Sequence, residues 1–240
     1  MDKRKIGEPD MSSVTITGIS SMATRQVLAE LAAAWEQRSG MAVAIESVGG
    51  VDAARRVQGG EVFDLVVLAS DAIDRFVASG HVAAGSRIDL VRSDVAAAVR
   101  AGAAPPDIGS EDALRRALLA ARSIAYSTGP SGVALARLFE RWGLADELRT
   151  RIVQPPPGVP VGTLVARGEV DLGFQQLSEL IHVQGIKLLG PLPEAVRITT
   201  IFSGGVCTAA TQPEAARALL EFMASPEASE AKRRQGMAPA

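Results

Sequence analysis

Gly60-Glu61-Val62-Phe63-Asp64-Leu65-Val66-Val67 is echoed about a hundred residues later by Gly168-Glu169-Val170-Asp171-Leu172-Gly173-Phe174. Each copy follows a stretch of helical character, Val51 to Val57 and Val161 to Arg167. Each runs into an apolar stretch, and each stretch closes on small polar residues: Ala69-Ser70-Asp71 after the first, Gln175-Gln176 after the second. A helix, a glycine stop and a buried strand form one half of an α/β winding unit. Two such units predict two similar α/β lobes, and a cleft between lobes is where small ligands bind. The plainer reading is that Gly-Glu-Val-Asp-Leu is a common helix-to-strand connector, and the residues alone leave both open.

Working outward, the chain reads β-α-β-α-β before the first copy ends. Val14 to Ile19 is a strand, and Val27, Leu28, Leu31, Ala32 and Trp35 give a helix its apolar face. Gly40 stops that helix, Met41 to Ile45 is a second strand, and a helix runs to about Gln58. Phe63 to Ala69 is apolar throughout, as a parallel strand covered on both faces should be. Ile88 to Val99 crosses into the second lobe with a polar kink at Arg92-Ser93-Asp94, and Ile198 to Val206 returns. Lobe 1 is thus 13–90 plus 200–240 and lobe 2 is 91–199, after an unstructured segment 1–12. Ser110 caps a helix, Pro155-Pro156-Pro157-Gly158 is a rigid loop, Thr211-Gln212-Pro213-Glu214 has capping-box spacing, and Ser225-Pro226 starts a last helix.

Composition narrows the function. The net charge of −2 argues against nucleic acid as a partner. Lys232-Arg233-Arg234 reads as a complement to the negative end of the last helix. Cys207 is the one cysteine and reads as a small core residue; the histidines are His81 and His182, with no zinc spacing. No metal and no cofactor is expected. No stretch is apolar enough to span a membrane, and the N-terminus has no signal-peptide core, so the chain as it stands reads as cytoplasmic, or periplasmic with a leader removed.

Polar turns fall at the carboxyl ends of the expected strands: Ser20-Ser21, Gly49-Gly50, Ser70, Ser127-Thr128 through Ser131-Gly132, and Gln175-Gln176. In open parallel sheets ligands bind at that edge. All but the last lead into helices, whose free N–H groups and positive ends suit an oxyanion or carboxylate. Arg25, one turn into the first helix, joins them as a candidate cation or is a solvated surface arginine. Singly, each serine or glycine is also an ordinary cap or turn residue. No nucleotide phosphate loop and no Gly-x-Ser-x-Gly elbow occurs.

Ser20-Ser21, Gly49-Gly50-Val51-Asp52-Ala53-Ala54-Arg55-Arg56-Val57, Phe63 to Ser70, Ala166-Arg167-Gly168-Glu169-Val170-Asp171 and Phe222-Met223-Ala224-Ser225-Pro226-Glu227-Ala228 together resemble the molybdate-type solute-binding proteins of ABC transporters. The resemblance covers the chain from about residue 13. It implies a two-lobed type II periplasmic-binding-protein fold, two doubly wound α/β domains joined by two crossing strands and closing on one small anion. It also implies a transporter permease as partner. Molybdate binders carry serine where this chain has Gly49-Gly50, and often a tyrosine near Gln175-Gln176. The roomier site favours an organic carboxylate over molybdate. Phe174 to Leu180, Leu189-Gly190-Pro191-Leu192-Pro193 and Gly236-Met237-Ala238-Pro239 look more like the aconitate-isomerase branch of the superfamily. That alternative, a cofactor-free isomerase of an unsaturated tricarboxylate, needs a proton carrier; the candidates are Asp71, Glu179 and His182. A transcription regulator's effector domain shares the architecture, but only about a dozen polar residues precede the first strand.

Overall fold

The computed structural model describes residues 15–156 and 159–240. The expected unstructured segment 1–12 lies outside the described residues, as do Val14 and the Pro157-Gly158 part of the proline loop. The first half runs β1 (Thr15–Ser21), a 3-10 turn Met22–Thr24, α1 (Arg25–Ser39), β2 (Ala42–Val48), α2 (Gly50–Gln58), β3 (Leu65–Ala69) and α3 (Ser70–Ala78). The long β4 (Ile88–Arg100) follows, then α4 (Glu111–Ala120), β5 (Ile124–Tyr126), α5 (Pro130–Arg141), α6 (Ala145–Leu148) and β6 (Ile152–Val153). The rest is α7 (Val161–Arg167), β7 (Leu172–Gln176), α8 (Leu177–Leu180), β8 (Ile186–Pro191), β9 (Thr199–Val206), α9 (Pro213–Ala224), α10 (Ser229–Arg234) and β10 (Ala238–Pro239).

The strands pair in the order β2-β1-β3-β9-β4-β7-β5-β6, with β8 and β10 also on β4. β1, β2 and β3 run parallel, as do β5, β6 and β7. β9 is antiparallel to β3 and β4, and β4 is antiparallel to β7. β4 therefore serves both halves: its start pairs with β9 and its end with β7 and β8. The expected kink at Arg92-Ser93-Asp94 is continuous strand; the register shifts fall between Asp89 and Val91 and between Ala97 and Ala98. β8 was not expected, because Gly190 and Pro191 interrupt its apolar run.

Helices cover both faces of each half, which is why the central strands read as unbroken apolar runs. Leu65 and Val67 of β3 pack with Leu28, Phe202, Leu220 and Met223 on one face, while Val66 and Leu68 pack with Ile73 and Phe76 on the other. In the second half Val95, Ala97 and Val99 of β4 meet Leu114, Leu135 and Phe139; Ala96 and Ala98 meet Val161, Val165 and Leu180. Each fully buried Val, Leu, Ile, Phe or Met among them contributes about 1.5–3 kcal/mol. Along one face of β4, Val91 belongs to the first half's core and Val95 to the second's, with Ser93 between them.

The echoed phrase is a structural repeat. Gly60 and Gly168 both take positive φ, 83° and 73°, turning the chain out of α2 and α7. The aspartate four or three residues on then ties the incoming strand to its parallel neighbour. Asp64, fully buried, accepts hydrogen bonds from Thr17 N–H and Oγ1 on one oxygen, and from Thr211 N–H and Oγ1 and Gln212 N–H on the other. Asp171 accepts from Arg122 N–H, Nε and a guanidinium nitrogen in the second half. Burial pushes the Asp64 carboxyl up, but the hydrogen bonds from Thr17, Gln212 and Thr211 outweigh it and leave it below its ordinary value.

This corrects one expectation. Thr211 is not the cap of α9; its hydroxyl is spent on Asp64, and Gln212 stands at the N-cap without a side-chain hydrogen bond. Ser225 likewise precedes a 3-10 turn at Pro226 with no capping bond from its side chain. Ser110 does cap α4, accepting from Ala113 N–H at 3.2 Å. Cys207 is buried, and burial first, then the nearby Asp64 charge, pushes its thiol up to about 12. Lys232, Arg233 and Arg234 fall in the last turn of α10, where Arg234 pairs with Glu30 and Lys232 lies buried.

Candidate functional site

The expected polar turns do stand at the carboxyl ends of β1, β2, β3, β5 and β7. In the first half Ser20 is buried, and its hydroxyl shares a hydrogen bond of 2.7 Å with that of Ser47. Ser21 is buried too, and its hydroxyl has no hydrogen-bond partner among the described residues. Gly49 precedes α2 and Gly50 begins it; a Cβ on Gly50 would lie 3.7 Å from the Ser21 Cβ, so the ends of β1 and β2 adjoin. Ser70 opens α3 directly after β3. These helices present their positive ends along one edge.

In the second half the hydroxyls of Ser127 and Ser131 lie 2.9 Å apart across the turn into α5. Gly132 is required there: a Cβ at that position would fall 1.6 Å from the carbonyl oxygen of Ser127. Thr128 is exposed in the same turn. At the end of β7, Gln175 accepts from Gly162 N–H at 3.3 Å and donates its amide to Glu179 Oε1 at 2.8 Å. Gln176 donates to Thr200 Oγ1 at 2.8 Å.

The two halves meet at this edge. Ser178 of α8 donates to the Ala23 carbonyl, just beyond Ser20-Ser21, at 2.8 Å. No hydrogen bond joins Ser20 or Ser21 to Ser127 or Ser131 among the described residues. Arg25 is exposed and makes no ion pair among the described residues. With Ser47, Leu28, Glu36 and Val43 it lines a groove of about 620 Å³ between α1 and β2. A second depression of about 510 Å³ is lined by Pro105, Ile108, Lys187, Pro193 and Arg197 among others.

The three proton-carrier candidates separate clearly. Asp71 is exposed and pairs with Arg75 at 2.8 Å, an ordinary helix-surface contact. His182 is exposed and hydrogen-bonds Gln235 at 2.7 Å. Glu179 is partly buried, and burial pushes its carboxyl up to about 7 against the opposing hydrogen bond from Gln175. A carboxyl titrating there is matched to proton transfer near neutral pH. Ser47, Ser93, Ser178 and Thr200 were not expected at this edge. Ser47 opens the Ser47-Val48-Gly49-Gly50 turn, so its position was available; the other three depend on pairings between strands and turns far apart in sequence.

Residues 16–238 match the family model described as bacterial extracellular solute-binding protein. A curated aconitate isomerase from Pseudomonas sp is 42% identical over 231 residues, covering 94% of this chain and 88% of that protein. The molybdate-binding protein ModA of Azotobacter vinelandii is 26% identical over 184 residues, covering 73% of this chain and 70% of its own. Among solved structures, the Azotobacter vinelandii periplasmic molybdate-binding protein has a TM-score of 0.78 at 20% identity, covering 92% of this chain and 98% of its own. The sulfate-binding protein SubI from Mycobacterium tuberculosis has a TM-score of 0.76 at 18% identity, over 95% and 87%. The chain belongs to the bacterial extracellular solute-binding protein family and has the type II periplasmic-binding-protein fold.

Proposed function

We propose that this chain binds an unsaturated tricarboxylate between its two lobes and moves the acid's double bond, as a cofactor-free isomerase. The observation that carries the reading is Glu179, held by Gln175 where α8 touches the other half, with its carboxyl raised to about 7. The relative named aconitate isomerase, similar over nearly the whole chain, supports the same reading.

The chemistry is a balanced proton shift. The Glu179 carboxylate takes a proton from the methylene carbon. The electron pair spreads over the allylic carbons and onto the flanking carboxylate, and a proton returns at the former vinyl carbon. Hydroxyls of Ser20, Ser21, Ser127 and Ser131, with the N–H groups opening α1, α2, α3 and α5, would hold the carboxylates and stabilise charge developing on them. Gly49-Gly50 leave room for an acid larger than a tetrahedral oxyanion.

Incubation with cis- or trans-aconitate, followed by NMR, tests the proposal. Interconversion should rise with pH through about 7, because the base form must take the proton. Glu179→Gln should abolish turnover and keep binding. Binding without interconversion by the unaltered protein would leave a second reading, favoured by the family itself: a carboxylate-binding protein that delivers its ligand to an ABC-transporter permease. No helix among the described residues is long and apolar enough to cross a membrane.

A further inference from the structure

A cation at the start of a helix stands against the positive end of the dipole, which favours acids there. Arg25 is such a cation. It opens α1, and neither the first turn of α1 nor the 3-10 turn before it holds an acid. α2 and α3 start at the same edge and follow the rule, with Asp52 and Asp71 in their first turns. The arginines of those two helices are also paired: Arg55 with Asp52, Arg56 with Glu46 and Glu61, Arg75 with Asp71. Arg25 is exposed and has no ion pair among the described residues, so neither the helix nor a neighbouring acid accounts for it.

Its surroundings have a direction. α1 runs back along β2, so Arg25 stands beside Ser47 at one end of the groove of about 620 Å³, and Glu36 stands beside Val43 at the other. Glu36 accepts the Val43 N–H at 2.7 Å, which fixes that acid at the far end. From Arg25 to Glu36 the helix rises about 16 Å, too far for the two to pair. Ser47, half-buried, joins the positive end of the groove to the ligand edge, because its hydroxyl shares the 2.7 Å bond with Ser20. Either oxygen can donate in that bond, so Ser47 can accept from Ser20 and turn its own proton toward an anion in the groove.

We propose that Arg25 and Ser47 form the subsite for one carboxylate of a tricarboxylate, so that the cleft prefers three carboxylates to two. The subsite rests on the tricarboxylate reading given above and deepens it. Helix ends supply only about half an elementary charge each. A trianion is better matched when a full cation joins them, and a guanidinium can fork onto both oxygens of one carboxylate. Arg25 and Ser47 hold a carboxylate and stay off the reacting carbons; their role is specificity.

The test uses saturated acids, which cannot be turned over: propane-1,2,3-tricarboxylate, and glutarate and methylsuccinate, which lack its central and one terminal carboxylate. Each is titrated calorimetrically into the full chain at low and high salt. The unaltered protein should bind the tricarboxylate about tenfold more tightly than either diacid, the equivalent of one hydrogen-bonded charge pair. High salt should narrow that advantage. Arg25→Gln should abolish it, while Arg25→Lys, which keeps the charge and loses the fork, should keep part of it. The melting temperature of Arg25→Gln without ligand should hold or rise, because a cation has left the positive end of α1. A lower melting temperature with affinity lost for all three acids alike would mark a structural arginine and overturn the subsite. Equal affinity of the unaltered protein for triacid and diacids, or a preference that survives Arg25→Gln, would overturn the subsite while the carboxylate reading stands. Binding of none of the three acids would overturn both.

Discussion

Gly132→Ala puts one methyl group against the backbone at the turn into α5. The new Cβ would lie 1.6 Å from the carbonyl oxygen of Ser127 and 2.7 Å from its carbon. Nonbonded carbon and oxygen approach to about 3.3 Å, so the turn must open by about 1.7 Å, the difference between that and 1.6 Å. No flexible side chain can give way, since the obstacle is main chain. Overpacking of this kind costs about 1–3 kcal/mol, which for a chain of this size lowers the melting temperature by roughly 2–12 °C. The same opening would break the 2.9 Å contact between the Ser127 and Ser131 hydroxyls and move the first N–H groups of α5. Affinity for a tricarboxylate should fall about tenfold or more, the equivalent of one lost hydrogen bond to a charged group. Gly129→Ala in the same turn is the control: its φ is −81° and nothing lies within 4 Å of a Cβ there. Scanning calorimetry and isothermal titration read both variants. A Gly132→Ala protein that melts and binds as the unaltered chain does would refute the claimed close approach.

Asp64→Ala strands the N–H groups of Thr17, Thr211 and Gln212, each at about 1–3 kcal/mol, so denaturant unfolding should show a loss of about 3 kcal/mol or more. Because the Asp64 carboxyl is depressed in the folded chain, its stabilisation is full above about 4 and lost as pH falls through the folded value; melting curves from neutral to acid pH should flatten in the variant. Glu179 has the opposite sign. Its carboxyl is raised from 4.5 to about 7, so stability should fall as pH rises through that window, and Glu179→Gln should remove that slope. Gly49→Ser places a Cβ 3.5 Å from Asp52 Oδ2, an ordinary contact at φ −56°, and restores a hydroxyl. Calorimetry should show molybdate affinity gained and tricarboxylate affinity reduced.

What was legible in the sequence was periodic or punctuated. The five apolar residues of β3 and the glycines closing α2 and α7 exposed the repeat, and the repeat carried the two-unit α/β architecture. The polar turns were readable because each sits at a junction that apolar residues define on both sides. What was not readable depends on partners distant in sequence. Asp64 looks like one more polar residue in a connector until Thr17 and Thr211, 47 and 147 residues away, are seen to converge on it. The same convergence takes Thr211 from the capping role its local spacing suggested. Ser93 looked like part of a kink, because Arg92 and Asp94 flank it; in a strand those neighbours point to the opposite face.

Glu179 shows why a proton carrier is harder to read than an anion site. Helix N-termini and hydroxyls hold a carboxylate by virtue of backbone geometry, which strand and turn patterns reveal. They bind ground state and intermediate alike, and binding both equally accelerates nothing. Turnover requires a group whose proton affinity is tuned to the step, and that tuning comes from burial. On a helical pattern Glu179 is an exposed acid like Asp71. In the fold it stands in the short α8, three residues past the end of β7, with Leu180 in the core on one side and Ser178 against the other half. Burial there raises its carboxyl while the Gln175 amide holds one oxygen in place. If this placement, and not the carboxylate alone, makes the base, then Glu179→Asp should bind tricarboxylate as the unaltered chain does yet turn it over at least tenfold more slowly. The shorter side chain shifts the proton-accepting oxygen by more than the tolerance of a proton transfer. A Glu179→Asp protein with full turnover would show that position is immaterial and remove Glu179 from the reacting atoms.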